Sequence, residues 1–260
     1  MVITLLSDFG DVYPASMKGV ILDINPQAII VDISHSVPRY DVRTGAFMLM
    51  ISARYFPTGT VHIAVVDPGV GTQRRAIAIK AESPDYGTHH FVGPDNGLLI
   101  PAARSIGEFE VYEITNNALF RKEISDTFHG RDIFAPAGAH ISNGMEIGGA
   151  GKRIYDFVGM DFGEGKKTGD SLEGMVIFID PFGNIVTNIS SDIVDLKPGD
   201  IMEFQKEKVI FQRSYGFCKE SEPLMLIGSH GYLEIAINKG NAASYFNIKS
   251  GDIIVIRKVT

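Results

Sequence analysis

The first half of the chain alternates short apolar runs with stretches whose apolar residues recur at helical spacing. Val2 to Leu6 and Ala28 to Ile33 read as strands, and Met17 to Ile24 reads as the helix between them. Asp41 is a good N-cap for a second helix that carries Val42, Ala46, Leu49 and Ala53 on one face until Pro57 and Gly59 stop it, and Thr60 to Val66 follows as a third strand. Strands joined by helices in this way form right-handed crossovers and lie parallel. Arg75 to Lys80, His90 to Val92 and Phe109 to Ile114 read as further strands, with a looser loop over Glu82 to Thr88 and an Asp95-Asn96-Gly97 turn leading into Leu98 to Ile106. Asp132 to Ile141 is Ala-rich and helical in pattern, although Pro136 weakens or kinks it.

Past Gly144 the texture changes. Glycines and charges accumulate from Gly163 to Asp170 without an apolar period, which marks a linker over residues 163–171. Beyond it, Met175 to Ile179, Ile185 to Ile189, Ile201 to Phe204, Val209 to Phe211, Leu224 to Ile227, Tyr232 to Ile237 and Ile253 to Ile256 are short β-rich runs separated by turn residues, and no helix is evident. The pattern predicts an α/β N-terminal domain over 1–162, its sheet mostly parallel and flanked by helices, and a smaller all-β C-terminal barrel or sandwich over 172–260.

Composition narrows the function. With 260 residues, 45% of them apolar, the chain buries a substantial core. A formal charge of -7 and the lack of a long Lys/Arg run argue against nucleic acid as a partner, because neutralising phosphates takes clustered cations. The single cysteine, Cys218, forms no internal disulfide and reads as a small buried hydrophobe. With no signal-like amino terminus and no long apolar run, the expectation is a soluble cytoplasmic protein without a membrane partner.

Three strands of the predicted parallel sheet end in polar clusters: Ser7-Asp8-Phe9-Gly10, Ser34-His35-Ser36 and Asp67-Pro68-Gly69. Ligands of open α/β sheets bind at that edge. The most informative stretch runs from Val65 to Arg75, where an apolar strand enters a glycine-rich turn around which Asp67 and Arg74, seven positions apart, can face one another. Neither a dinucleotide fingerprint nor a Walker A loop is present, and carboxylates suit the hydroxyls of a ribose better than a phosphate they would repel. Thr127 to Asp132 adds an imidazole, His129, at the start of a helix, as a candidate base or orienting group. In the second half, Asp180-Pro181-Phe182-Gly183-Asn184 and Gly228-Ser229-His230-Gly231-Tyr232 offer an aromatic face, an amide and small polar groups, a set able to clamp a purine. No H-E-x-x-H pattern exists and His89 and His90 point to opposite strand faces, so no metal site is expected.

Taken together, these segments resemble the S-adenosyl-L-methionine hydrolases, or hydroxide adenosyltransferases, relatives of the fluorinase and chlorinase enzymes. The resemblance runs through Ser7 to Gly10, Met17 to Val20, Asn25-Pro26, Val31 to His35, Tyr55 to Pro57, Val65 to Arg75, Gly93 to Leu98, Phe128 to Phe134, Phe182 to Asn184 and Gly231 to Leu233. It implies catalytic roles for Asp67, Arg74 and His129, with spacing favouring Arg74 over the adjacent Arg75. It implies ribose binding by Asp8, contacts to the methionine part by Asp180 and Ser229, contacts to adenine by Phe182, Asn184 and Ala242, and further substrate contacts by Asp11, Tyr40 and Phe128. The segment from Gly10 to Lys18 is shorter than in many relatives. The halogenating relatives carry Tyr in place of Asp67 and a halide-binding Ser in place of Gly130, so this chain resembles the branch that uses water.

The implied reaction is attack of water or hydroxide at ribose C5′, releasing adenosine and L-methionine, with S-adenosyl-L-methionine as substrate and no cofactor. His129 or the ensemble of three is favoured as proton acceptor, with Asp67 orienting the water. The rivals are a halogenase of the same fold, a non-catalytic sensor of S-adenosyl-L-methionine or adenosine, and a metal-dependent nucleotide hydrolase. The resemblance further implies a homotrimer whose sites lie between the N-terminal domain of one subunit and the C-terminal domain of its neighbour.

Overall fold

Val, Ile and Leu make up most of the first and third strands, and both are buried along nearly their whole length, as central strands covered on both faces must be. The computed structural model describes residues 1–259, and they divide into two compact units, Met1–Asp161 and a second that begins at Phe162.

The first unit holds strands β1 (Val2–Ser7), β2 (Ile29–Ser34), β3 (Val61–Val65), β4 (Ala76–Ser83), β5 (Gly87–Pro94), β6 (Glu108–Glu113) and β7 (Arg153–Ile154), with helices α1 (Tyr13–Ile24), α2 (Val42–Ala53), α3 (Ile100–Ile106) and α4 (Ala135–Ser142). The strand order is β2-β1-β3-β5-β4-β6-β7. Neighbours from β2 to β5 are parallel, whereas β4 runs antiparallel to both β5 and β6, and β7 antiparallel to β6. The sheet is therefore mixed rather than mostly parallel. The cause is local: the stretch expected as a loose loop is a tight Pro84-Asp85-Tyr86 connection closed by Gly87 at φ +70, which joins β4 and β5 as a hairpin. A hairpin turn produces an antiparallel pair, while a parallel one needs a longer crossover.

Helices α1 and α4 cover one face, where Met17, Ile21, Phe134 and Ala137 pack with Ile3, Leu5, Ile63 and Val65. On the other face Gly45 of α2 lies against Leu6, Val66 and Leu98, and α3 packs beside α2. Asp41 caps α2 as expected, its Oδ1 accepting from Thr44 N at 2.9 Å. The helix expected from Asp132 divides in two: Gly130–Phe134 is a π-turn, and α4 starts at Ala135 with Pro136 in its first turn. The π-turn runs directly into α4, with Ala135 N donating to Gly130 O, and Asp132 O, which the missing N–H of Pro136 leaves free, accepts instead from Arg121 N at 3.0 Å.

The second unit contains β8 (Lys166–Thr168), β9 (Ser171–Ile179), β10 (Ile185–Ser190), β11 (Ile201–Phe204), β12 (Glu207–Phe211), β13 (Pro223–Ile227), β14 (Tyr232–Ile237), β15 (Ile253–Lys258) and a short helix, α5 (Ala242–Phe246). The ring β9-β10-β14-β13-β12-β11-β15 closes because the two halves of β9 pair with different strands, β15 along Ser171–Met175 and β10 along Val176–Ile179. The result is a closed seven-stranded barrel. Closure removes the sheet edges that a sandwich leaves open. All the ring pairings are antiparallel except β12 with β13. Two features depart from expectation: β8 lies within the presumed linker, and α5 forms where no helix was evident. Helix α5 spans five residues, too few to show a period, and is fixed by its ends, with Asn241 Oδ1 accepting from Ser244 N at 2.7 Å and Asn247 left-handed at φ +52.

Candidate active site

The polar ends of β1 and β3 and the entry to the π-turn meet at one cleft of about 280 Å3, lined among others by Asp8, Tyr40, Asp67, Phe128 and His129. Asp67 leaves β3 into the turn that Gly69 and Gly71 shape, and Arg74 returns along it toward β4. The guanidinium grips the carboxylate, Nε lying 3.0 and 2.9 Å from Oδ1 and Oδ2 and Nη2 lying 2.6 Å from Oδ2. The same Nη2 reaches His129 Nδ1 at 2.7 Å, so the three predicted catalytic groups form one connected set. Asp67 and Arg74 side chains are 4% and 11% exposed, and the Phe134 ring backs the guanidinium at 5.1 Å. Charge-assisted bonds in so dry a setting are strong and directional.

Arg74 is a donor only, which fixes the histidine. Nδ1 must accept, so neutral His129 carries its hydrogen on Nε2. Burial first, and the Arg74 charge second, hold the His129 pKa below the usual imidazole value, keeping the ring neutral near pH 7. With Nδ1 engaged, Nε2–H can donate to a bound oxygen. The lone pairs left open to a water are those of Asp67, which lines the cleft while Arg74 stands behind it.

The structure also separates the two adjacent arginines. Arg75 turns away to the buried Asp95, 2.7 Å from Nη2 to Oδ2, and to Asp156, 2.9 Å from Nη1 to Oδ1. Its place is in the scaffold that seats the turn. A comparable hub stands below His129, where fully buried Asp132 accepts from Ser125 N at 2.9 Å and from Arg131 Nε at 2.7 Å. Burial pushes the Asp132 carboxyl up, but the Arg131 hydrogen bond and its allies outweigh it and the net shift is downward.

Asp8 Oδ2 accepts from Tyr40 N at 2.9 Å, which holds the predicted ribose acid at the cleft wall. Tyr40 has φ +65, a left-handed conformation unusual for an aromatic residue and common at functional sites. Asp11 is exposed and lies outside the cleft lining, whereas Tyr13 enters it and packs edge-on against Phe128 at 5.6 Å. Arg39 also lines the cleft. Sequence reasoning passed over it, since an arginine in an aperiodic loop carries no pattern of its own.

The remaining predicted residues belong to the barrel unit. Asp180 closes its own turn, Oδ1 accepting from Phe182 N at 2.9 Å and Asn184 N at 2.8 Å, and Oδ2 accepting from Asn184 Nδ2 at 2.9 Å. The same turn leaves the Phe182 ring 76% exposed, available as a stacking face. Gly183 sits at φ +83 with its N–H on Asp180 O, and its carbonyl accepts from Ala243 N at 2.9 Å, tying the turn to α5. Ala242 is fully buried at the start of α5, and Ser229 is exposed in the tight turn between β13 and β14. Among the described residues no group of three or more His, Cys, Asp or Glu is arranged to hold a metal, and no helix is long and apolar enough to cross a membrane.

Residues 3–151 match the family model of the SAM hydroxide adenosyltransferase N-terminal domain, and residues 174–255 match that of the C-terminal domain. The chain belongs to the SAM hydroxide adenosyltransferase family. Within and around that family it is 38% identical over 272 residues to the (R)-S-adenosyl-L-methionine hydrolase of Methanocaldococcus jannaschii, a match covering 98% of this chain and 95% of that protein. It is 28% identical over 292 residues to the fluorinase of an Actinoplanes species, covering 99% and 97%. Among solved structures it superposes with a TM-score of 0.89, at 35% identity, on the crystal structure of an uncharacterized conserved protein from Thermotoga maritima, covering 99% of this chain and 100% of that one. The adenosyltransferase fold thus spans both units, with Asp67, Arg74 and His129 in the first.

Proposed function

We propose that this chain hydrolyses S-adenosyl-L-methionine to adenosine and L-methionine by attack of water at ribose C5′. The observation that carries the reading is the connected set of Asp67, Arg74 and His129 at the wall of a cleft that also presents Asp8. In this reading Asp67 accepts one hydrogen of the water and His129 Nε2–H donates to its oxygen, leaving a lone pair aimed at C5′. As the C5′–O bond forms, the C5′–S bond breaks, its electron pair neutralises the sulfonium, and the water proton passes to Asp67. The leaving group departs as a neutral thioether, so the step needs no Lewis acid. Fixing oxygen, carbon and sulfur in line contributes several kcal/mol, by the general magnitude of orientation effects. The proton therefore goes first to the carboxylate and not to His129, whose Nδ1 would have to be released by Arg74 before the ring could take it.

A halogenase is disfavoured on two grounds. An anionic Asp67 repels halide, and Gly130 stands where the halogenating relatives carry the halide-binding serine, a β-carbon there meeting the Phe9 ring at 3.1 Å, the Phe128 ring at 3.2 Å and Met17 sulfur at 3.3 Å, contacts that ask those side chains to give by a few tenths of an ångström. The hydrolase relative is also the more similar, at 38% against 28% for the fluorinase. The barrel unit supplies the adenine and methionine contacts through Phe182, Asn184, Asp180, Ser229 and Ala242. We take the working form to be a cytoplasmic homotrimer in which each cleft is completed by the barrel of a neighbouring copy. Replacing Asp67 or His129 by Ala is expected to lower turnover by about 100-fold or more while adenosine binding, read by calorimetry, changes little. Equal losses in both, or unaltered turnover, would contradict these roles, and a wild type that binds adenosine but turns over no S-adenosyl-L-methionine would favour a binding protein.

A further inference from the structure

Strand β2 contains one residue too many. Leu5 of β1 pairs with Asp32, but Leu6 pairs with Ser34, so Ile33 is extruded as a bulge in a parallel pair. Side chains alternate along a strand, and one extra residue moves everything beyond it to the other face. Without the bulge His35 would project away from Asp32. With it, both share the face of Ser7, and His35 Nε2 lies 3.1 Å from Asp32 Oδ1 while its Nδ1 lies 2.8 Å from Ser7 Oγ. Lys18 of α1 closes the far end by pairing with Asp32. Bulges that re-aim a side chain are common beside active sites.

The His35 segment also holds both flanks of Asp8. Ser7 O accepts from Val37 N at 3.4 Å, Ser7 Oγ accepts from Phe9 N at 3.4 Å, and Gly10 N donates to His35 O at 2.9 Å. Ser7 is 1% exposed and His35 is 10% exposed by side chain, so neither offers a nucleophile or a base to a substrate. Asp8 itself faces the cleft. We propose that His35 is a positioning residue for ribose recognition: the bulge in β2 aims it at Ser7, and through Ser7 and the paired backbone it fixes the direction of the Asp8 carboxylate. This rests on the proposed function, in which Asp8 holds the ribose hydroxyls.

The test compares adenosine with 2′,3′-dideoxyadenosine, which lacks the hydroxyls Asp8 would hold, by calorimetry on the full chain. Wild type is expected to bind adenosine more tightly. His35→Leu keeps the bulk and removes the acceptor for Ser7, and is expected to weaken adenosine about threefold to tenfold, the worth of one neutral hydrogen bond, with dideoxyadenosine unchanged. His35→Asn, whose amide oxygen replaces Nδ1, restores most of the loss, and adding His35→Leu to Asp8→Asn costs nothing more. Equal weakening of both nucleosides, or no change in either, overturns the positioning role. If His35→Leu does not fold, Ser7→Ala carries the same comparison with the same outcomes. A wild type that binds neither nucleoside overturns the functional reading itself, and one that binds both equally overturns the ribose role of Asp8.

Discussion

Gly71 is expected to set the distance between the two loops that carry the proposed catalytic set. It occupies φ +75 in the turn between Asp67 and Arg74, and a β-carbon there would stand 2.5 Å from the backbone oxygen of Asp126, three residues before His129. Restoring an ordinary contact of 3.4 Å requires the turn and the His129 loop to part by about 0.9 Å. That is enough to break the 2.7 Å bond from Arg74 Nη2 to His129 Nδ1. Gly71→Ala therefore carries a left-handed backbone cost of about 1–2 kcal/mol, a melting temperature lower by about 3–6 °C, and a loss in kcat of about 100-fold from misplacement of the catalytic set. Gly144→Ala is the control. That residue has φ +96 and nothing within 4 Å of its would-be β-carbon, so it should lower the melting temperature while leaving kcat intact. Steady-state adenosine formation by chromatography, with thermal unfolding of the same samples, reads both quantities. A Gly71→Ala enzyme with reduced melting temperature and wild-type kcat would refute the reasoning.

Three other outcomes follow from the same geometry. Arg74→Lys should cut kcat by at least tenfold with little loss of stability, whereas Arg75→Ala should leave Asp95, 2% exposed, short of its partner and cost about 2 kcal/mol with smaller effects on rate, as kinetics and urea unfolding would distinguish. His62 is buried between Thr4 Oγ1 at 2.7 Å and His89 Nδ1 at 3.0 Å, and burial, with the nearby His89 and His90, pushes its pKa down to about 3. The unfolded chain then binds more protons than the folded one between about pH 6.5 and 3, so stability falls as pH falls through that window, by at most about 1.4 kcal/mol per pH unit for this group. Melting curves from pH 7 to 4.5 should show a shallower slope for His62→Phe. Gly183→Ala would drive a β-carbon to 2.2 Å from the Asn241 side chain at the cap of α5 and displace the turn that carries Phe182 and Asn184, so that, on the proposed adenine role of these two residues, KM should rise.

Much of this site was legible because its chemistry is local. Asp67 and Arg74 lie on one turn, and a glycine-rich bend with one acid and two adjacent bases points to such a pairing. Which of the two adjacent arginines pairs with Asp67 is not decided by spacing: Arg74 does so, and Arg75 has a buried carboxylate of its own, Asp95, which only the fold brings near. The order of the strands was harder to read. Parallel and antiparallel strands carry the same apolar runs, and the turn that makes β4 and β5 a hairpin hides in a stretch that reads as polar loop, although its Pro-Asp-Tyr-Gly composition is turn chemistry. The β2 bulge leaves no trace in hydrophobic pattern, since Ile33 continues the apolar run, and so the partnership of Ser7 with His35 could not be inferred. Helix α5 shows the same limit, being set by two asparagines at its ends and not by a period.

The most direct test of the account is hydrolysis of S-adenosyl-L-methionine by the purified protein in oxygen-18 water, with the products weighed by mass spectrometry. Attack of water at C5′ predicts one heavy oxygen in the 5′ hydroxyl of adenosine and none in L-methionine. Adenosine without the label, or failure to form adenosine at all, would contradict it.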